Sequence, residues 1–220
     1  MMLSGDKGKL NDDQKEYVQE ASMASRRMVS LVNSLLNVSR IEMGTFSIQP
    51  ESIDIAAVIK PCIKEAEHKI LEKGLTLNEE YEPTVPKVMA DPKLLGIVIQ
   101  NLLENAINYT PNEGKIKVSL KKRENDILIT VEDTGIGIPE NQKSKIFTKL
   151  FRADNAREKE ANGNGLGLYM TKAIVDNSGG RIWFESPASP AKLGEPVGTA
   201  FYVAIPISGM KAKEGTKSLT

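Results

Sequence analysis

In NLLENAIN, residues 101–108, the side chains of Asn101, Glu104, Asn105 and Asn108 fall at i, i+3, i+4 and i+7, one stripe of a helix. Asparagine is a mediocre helix former because its amide competes for backbone hydrogen bonds, so three on one face do not serve helix stability. Amide oxygens in that pattern suit a hard cation such as magnesium, which keeps several waters and is shared between few protein groups and substrate phosphates. A solvated helix face is the competing reading. A second group lies in VEDTGIGIPE, residues 131–140. Asp133 ends an apolar strand, where a carboxylate is costly unless something donates to it. An adenine exocyclic amine is a suitable donor, although a plain turn would also account for Gly135 and Gly137. The third group is NGNGLGLYMTK, residues 162–172, in which Gly163, Gly165 and Gly167 alternate ahead of a helix. Such a loop lets backbone N–H groups approach an anion. It is not a dinucleotide fingerprint, because Leu168 stands where the third glycine belongs, and no GxxxxGK[ST] occurs.

These groups need elements to hold them. Asp91-Pro92 is a cap and first-turn pair opening a helix to Tyr109, with Leu95, Val98, Ile99, Leu102 and Ala106 as its core stripe. KIKVSLKKR and DILITVED alternate as antiparallel strands around Glu124-Asn125. A helix over about 54–72, a strand at 75–81, a proline-punctuated connection over 83–90, a helical stretch over 139–151, a helix to about Asn177 and two closing strands complete the pattern. Residues 152–163 are charged and poor in apolar groups, and are expected to be mobile. Residues 1–10 read as a hairpin-turn remnant or disordered lead, and 209–220 as a disordered tail. Interspersed strands and helices without strict alternation imply an α+β fold, a two-layer α/β sandwich with a largely antiparallel sheet.

Ahead of this unit, residues 11–43 read as one long helix. Asn11 is its cap, Asp12 and Asp13 favour the dipole, and Gln14 sits where a capping-box partner belongs. Ala21, Ala24, Met28, Leu31, Leu35 and Val38 form a heptad seam, which Val32, Leu36 and Ile41 widen into a face suited to a bundle; Gly44 ends the helix. Lys plus Arg equals Asp plus Glu at 29 each, so no overall field draws the chain to nucleic acid or anionic membrane. One cysteine, Cys62, excludes an intrachain disulfide. No apolar run approaches the roughly 18–20 residues a membrane span requires.

NLLENAINYT, DTGIGIP, IFTKLFRAD and GNGLGL, in this order over residues 91–206, resemble the N, G1, F and G2 boxes of bacterial sensor histidine kinases, members of the Bergerat-fold ATPases. SLLNVSRIEMGTF resembles the second helix of the dimerisation domain of the same kinases. The resemblance implies an ATP-binding catalytic domain over 45–208 preceded by a bundle helix over 11–44. ATP and Mg2+ would be its cofactors. Asn105 would ligate the metal and Asn101 support it. Tyr109 would pack on adenine, Asp133 would accept from its amino group through a network with Thr199, and Gly135 and Gly137 would leave space beside the base. Ile138 and Phe151, inside the G1 and F boxes, would line the same pocket. Arg152 would reach the transferring phosphoryl group, where a cation stabilises developing charge. Gly163, Gly165, Leu166 and Gly167 would face the phosphates, and 152–163 would be the ATP lid.

Two departures stand out. Asn108 occupies a position where the family often has lysine, so triphosphate affinity is expected to be weaker and Asn108→Lys to tighten it. The single histidine, His68 in KEAEHKILEKG, lacks the context of a phosphoacceptor and reads as a surface residue. The resemblance therefore implies that the acceptor histidine, the sensor and any inner-membrane anchor lie outside these residues. The chain would then be unable to phosphorylate itself. The implied partners are a response regulator and a second copy through the helical bundle, in the cytoplasm. A gyrase-type ATP hydrolase is the first rival, disfavoured because the amide of Asn101 cannot deprotonate water. A dimerising scaffold indifferent to nucleotide is the second, disfavoured by the retention of all four boxes.

Overall fold

A capping box opens the first element: Gln14 N–H donates to Asn11 Oδ1 at 2.8 Å while Asn11 N–H donates to Gln14 Oε1 at 3.0 Å. From there α1 runs Asp12–Glu42. The computed structural model describes residues 11–43, 45–160, 163–188 and 198–214. The expected lead over 1–10 and the helix stop at Gly44 fall outside that range.

Beyond α1 come β1 (Glu51–Ile53), α2 (Ile55–Glu72), β2 (Thr76–Tyr81), β3 (Val88–Ala90), α3 (Pro92–Tyr109), β4 (Lys115–Lys122) and β5 (Asp126–Asp133). A 3-10 helix (Glu140–Lys145), α4 (Asp154–Lys159), α5 (Gly167–Asn177), β6 (Arg181–Glu185) and β7 (Thr199–Pro206) follow. The main sheet has the order β2-β4-β5-β7-β6, antiparallel except for the parallel pair β2–β4. Helices cover one face, giving the two-layer mixed sandwich expected from the pattern.

Strand periodicity sets which side chains meet the helices. On β5, Ile127, Ile129 and Val131 are buried, and on β7 so are Phe201, Val203 and Ile205. These two rows pack with Leu95, Val98, Ile99 and Leu102 of α3 in one core extending from Phe46 to Met210. Because the period is two, Asp133 and its register partner Thr199 continue the same inward rows to the end of the sheet. Asp91 fixes α3 from the other end: Oδ1 accepts from the N–H groups of Lys93 and Leu94, and Oδ2 from Gln49 N–H at 3.0 Å.

Three expectations need correction. The stretch 139–151 is not one continuous helix: it holds a six-residue 3-10 helix, Glu140–Lys145, and Leu150 adopts φ +61, which no right-handed helix continues through. Residues 88–90 are not mere connection, since past Pro86 the chain regains its N–H donors and pairs with β1. Residues 209–214 are not a free tail, for Met210 is buried and its N–H donates to Met89 O, while Lys213 pairs with Ile48. The charged stretch after Arg152 carries α4. Single-sequence apolar content did not reveal these hydrogen bonds with distant backbone.

On α1 the seam is split. Met28, Leu31, Val32, Leu35 and Leu36 are all exposed, whereas Val38 is fully buried. Near the helix end Glu42 accepts from Lys149 Nζ at 2.8 Å and from Tyr169 Oη at 3.3 Å, tying α1 to the start of α5. His68 is 90% exposed, 3.8 Å from Glu72, a surface residue as expected.

Candidate functional site

A cleft of about 510 Å³ opens between the polar stripe of α3, the end of the sheet and the segment carrying α4. Asn101, Asn105, Asn108 and Tyr109 line it from α3, and Asp133 and Thr199 from the sheet. Gly137, Ile138, Phe151, Arg152, Gly163, Gly165 and Gly167 line it from the loops. The structure thus brings together most of the residues singled out from sequence. Two stand apart from the lining. Leu166 is 1% exposed and anchors the loop from within, its N–H donating to Asn164 Oδ1 at 3.0 Å. Gly135 lies behind Asp133 rather than beside open space.

The reason for Gly135 is close approach. A Cβ there would lie 2.6 Å from Asp133 Oδ1 and 2.7 Å from Tyr109 O. Its N–H donates to the same Oδ1 at 2.7 Å. Asp133 is only 6% exposed. Burial pushes its carboxyl up to about 7, against the opposing pull of the N–H groups of Gly135 and Thr199. A buried carboxylate so placed is a strong acceptor for one more N–H donor entering the cleft.

On the facing helix, Asn101 Nδ2 donates to Gly167 O at 3.4 Å and Thr171 Oγ1 at 3.3 Å, tying α3 to the first turn of α5. Asn105 and Asn108 are half-buried, with their amides on the cleft. Among the described residues no group of three His, Cys, Asp or Glu side chains can hold a metal ion. The amide-rich stripe therefore fits a cation only when a ligand supplies further oxygens, as magnesium with phosphates does.

The segment carrying α4 is tied down on three sides. Arg152 donates to Gly163 O at 3.1 Å, Ala156 O at 3.0 Å and Glu160 O. Asn155 Nδ2 donates to Gly137 O at 3.0 Å. Asp154 N–H donates to Gln142 Oε1 at 2.9 Å. In this arrangement the Arg152 guanidinium gathers the carbonyls of Ala156, Glu160 and Gly163. Asn155, Lys69 and Glu160 also line the cleft and were missed from sequence. No spacing rule marks them, because they reach it by packing of separate elements.

Gly165 answers for the loop's shape. It sits at φ +68, and a Cβ would fall 2.7 Å from Leu150 C and 2.9 Å from Phe151 O, both rigid backbone. Gly165→Ala is expected to cost about 1–3 kcal/mol and to abolish ligand binding in the cleft. Chemical denaturation and a binding titration on the same sample check both effects.

The histidine kinase-, DNA gyrase B- and HSP90-like ATPase model matches residues 90–209, more than half of the chain. The circadian input-output histidine kinase CikA of Synechococcus elongatus is 30% identical over 90% of this chain and 26% of its own length. The sensor protein kinase WalK of Staphylococcus epidermidis is 33% identical over 83% of this chain and 29% of its own. The chain thus spans between about a quarter and a third of these two relatives. In fold it is similar to ShkA, solved full-length in complex with AMPPNP, with a TM-score of 0.75 and 20% identity over 97% of this chain and 42% of that one.

Proposed function

Because the chain belongs to the histidine kinase-, DNA gyrase B- and HSP90-like ATPase family, we propose that it is the ATP-binding catalytic part of a two-component sensor histidine kinase. In this reading the cleft binds ATP with Mg2+. The whole protein moves the γ-phosphoryl group to a histidine and then to an aspartate of a response regulator. The observation that carries the reading is the buried carboxylate of Asp133 facing the asparagine stripe across one cleft, with the glycine loop as its third wall.

Each part follows from its chemistry. Asp133 accepts from the adenine amine, and Tyr109, Ile138 and Phe151 give the base an apolar seat. Asn105 offers its oxygen to magnesium, which when bound neutralises phosphate charge. Gly163, Gly165 and Gly167 bring the α5 N-terminus to the phosphates, where its dipole and unpaired N–H groups favour an anion. Asn101 positions that terminus against α3, and its amide cannot act as a general base, which favours phosphoryl transfer over hydrolysis. Arg152 holds the lid and, on release from its carbonyls, reaches the phosphates.

The exposed seam of α1 is read as half of a dimerisation bundle, residues 11–44, joined to a catalytic unit over 45–208 with its lid at 152–163. We assign the unit to the cytoplasm, as the resemblance to sensor histidine kinases implies; among the described residues no helix is long and apolar enough to cross a membrane. Leu31→Glu with Leu35→Glu is expected to remove self-association in sedimentation while leaving nucleotide affinity unchanged, since both side chains are exposed.

Calorimetric titration with a non-hydrolysable ATP analogue, with and without Mg2+, tests the central claim. Magnesium-dependent binding is expected. No binding at millimolar concentration would favour a scaffold, and steady ATP turnover by the chain alone would favour a hydrolase. Within the same assay Asn108→Lys is expected to tighten the triphosphate by adding a cation at the stripe's end.

A further inference from the structure

Among the described residues lining the cleft, the cationic side chains are Lys69 and Arg152, and a triphosphate brings several negative charges. Arg152 is engaged with three backbone carbonyls. Resting on the nucleotide reading above, we propose that Lys69 is a second phosphate-binding cation of this site, available before Arg152 is released, exchanging Glu104 for a phosphate oxygen when nucleotide enters.

The placement of Lys69 is built from below. One turn further along, Lys73 Nζ donates to Ile107 O at 2.6 Å, Thr110 O at 2.7 Å and Asn108 O at 3.4 Å. Lys73 thereby closes the C-terminus of α3 and pins the end of α2 beside the asparagine stripe. With those three carbonyls as acceptors this ammonium is spent on backbone rather than on ligand, and its partial burial lowers its pKa. Lys69, on the same helix, is left over the cleft with a flexible stem. Its nearest carboxylate is Glu104, 3.9 Å away, and both side chains are more than half exposed (57% and 59%). A pair so long and so wet contributes little, whereas a charge-assisted bond to phosphate is shorter and stronger. The exchange is therefore downhill once phosphate arrives, and Glu104 discourages it until then.

The test compares Lys69→Met, Lys69→Arg and Glu104→Gln with the parent chain, titrating AMPPNP, ADP and adenosine at low and high salt. Lys69→Met is expected to weaken AMPPNP by about 10-fold or more, ADP less, and adenosine not at all. It should also flatten the salt dependence. Lys69→Arg is expected to recover most of the loss, and Glu104→Gln to tighten AMPPNP. A Lys69→Met chain that binds AMPPNP like the parent, or loses adenosine equally, overturns the assignment alone. A parent that binds no nucleotide overturns the assignment and the reading of the cleft together.

Discussion

Replacing Asp133 with asparagine is expected to weaken adenine-nucleotide binding by about 10- to 100-fold while making the empty protein more stable. The two effects share one cause. Asp133 is buried at the inward end of β5, and folding raises its pKa from the ordinary 3.8 to about 7. Below pH 4 the carboxyl is protonated in both states and stability is unaffected. Between about pH 4 and 7 the unfolded chain releases the proton and the folded one keeps it, so stability falls as pH rises. Above about pH 7 the full penalty, on the order of 4 kcal/mol, is present.

Asparagine carries no such penalty and still accepts from Gly135 N–H. The stability gain of Asp133→Asn should therefore be near zero at pH 4 and reach its plateau above pH 7. Binding runs the opposite way with pH. In the proposed reading the ionised carboxylate would accept from the adenine amine, so parent affinity is expected to fall as pH drops below about 7, with proton release on binding in that range. Asp133→Asn should lose this dependence. Urea denaturation and calorimetric titration at several pH values check both. A variant that binds adenine as the parent does would remove Asp133 from base recognition.

Asn105→Ala is expected to erase most of the magnesium dependence of triphosphate binding, about 10- to 100-fold in affinity, without destabilising the fold. Asn105 is half-buried on the cleft side of α3, clear of the core stripe, and alanine is the better helix former. Adenosine binding should be untouched, since the amide lies on the phosphate side of the cleft in this reading. Asn105→Asp retains a hard oxygen and is expected to keep the magnesium dependence. Titration of each variant with AMPPNP, with and without Mg2+, separates a metal role from a structural one. An alanine variant whose magnesium response matches the parent would move the cation elsewhere.

Several features of this protein were already written in the order of its residues. The capping box of Asn11 and Gln14, the cap at Asp91, the core stripe of α3 and the alternation of β4 and β5 are local rules satisfied by near neighbours. The asparagine stripe follows from the same 3.6-residue period that places Leu95, Ile99 and Leu102 in the core. Those rules do not say what the stripe faces.

Only the tertiary structure decided that Gly135 makes room for a carboxylate and the Tyr109 carbonyl rather than for a ligand. It also set Leu166 into the core and Arg152 onto the carbonyls of Ala156 and Gly163, and it brought Lys69 over the cleft through the packing of α2 on α3. The same holds for β3, for residues 209–214 and for the 3-10 helix that stops before Leu150. The physical reason is common to all of them. Periodicity and capping report interactions within one turn or one strand, whereas steric exclusion, desolvation and long-range hydrogen bonds depend on which distant backbone arrives.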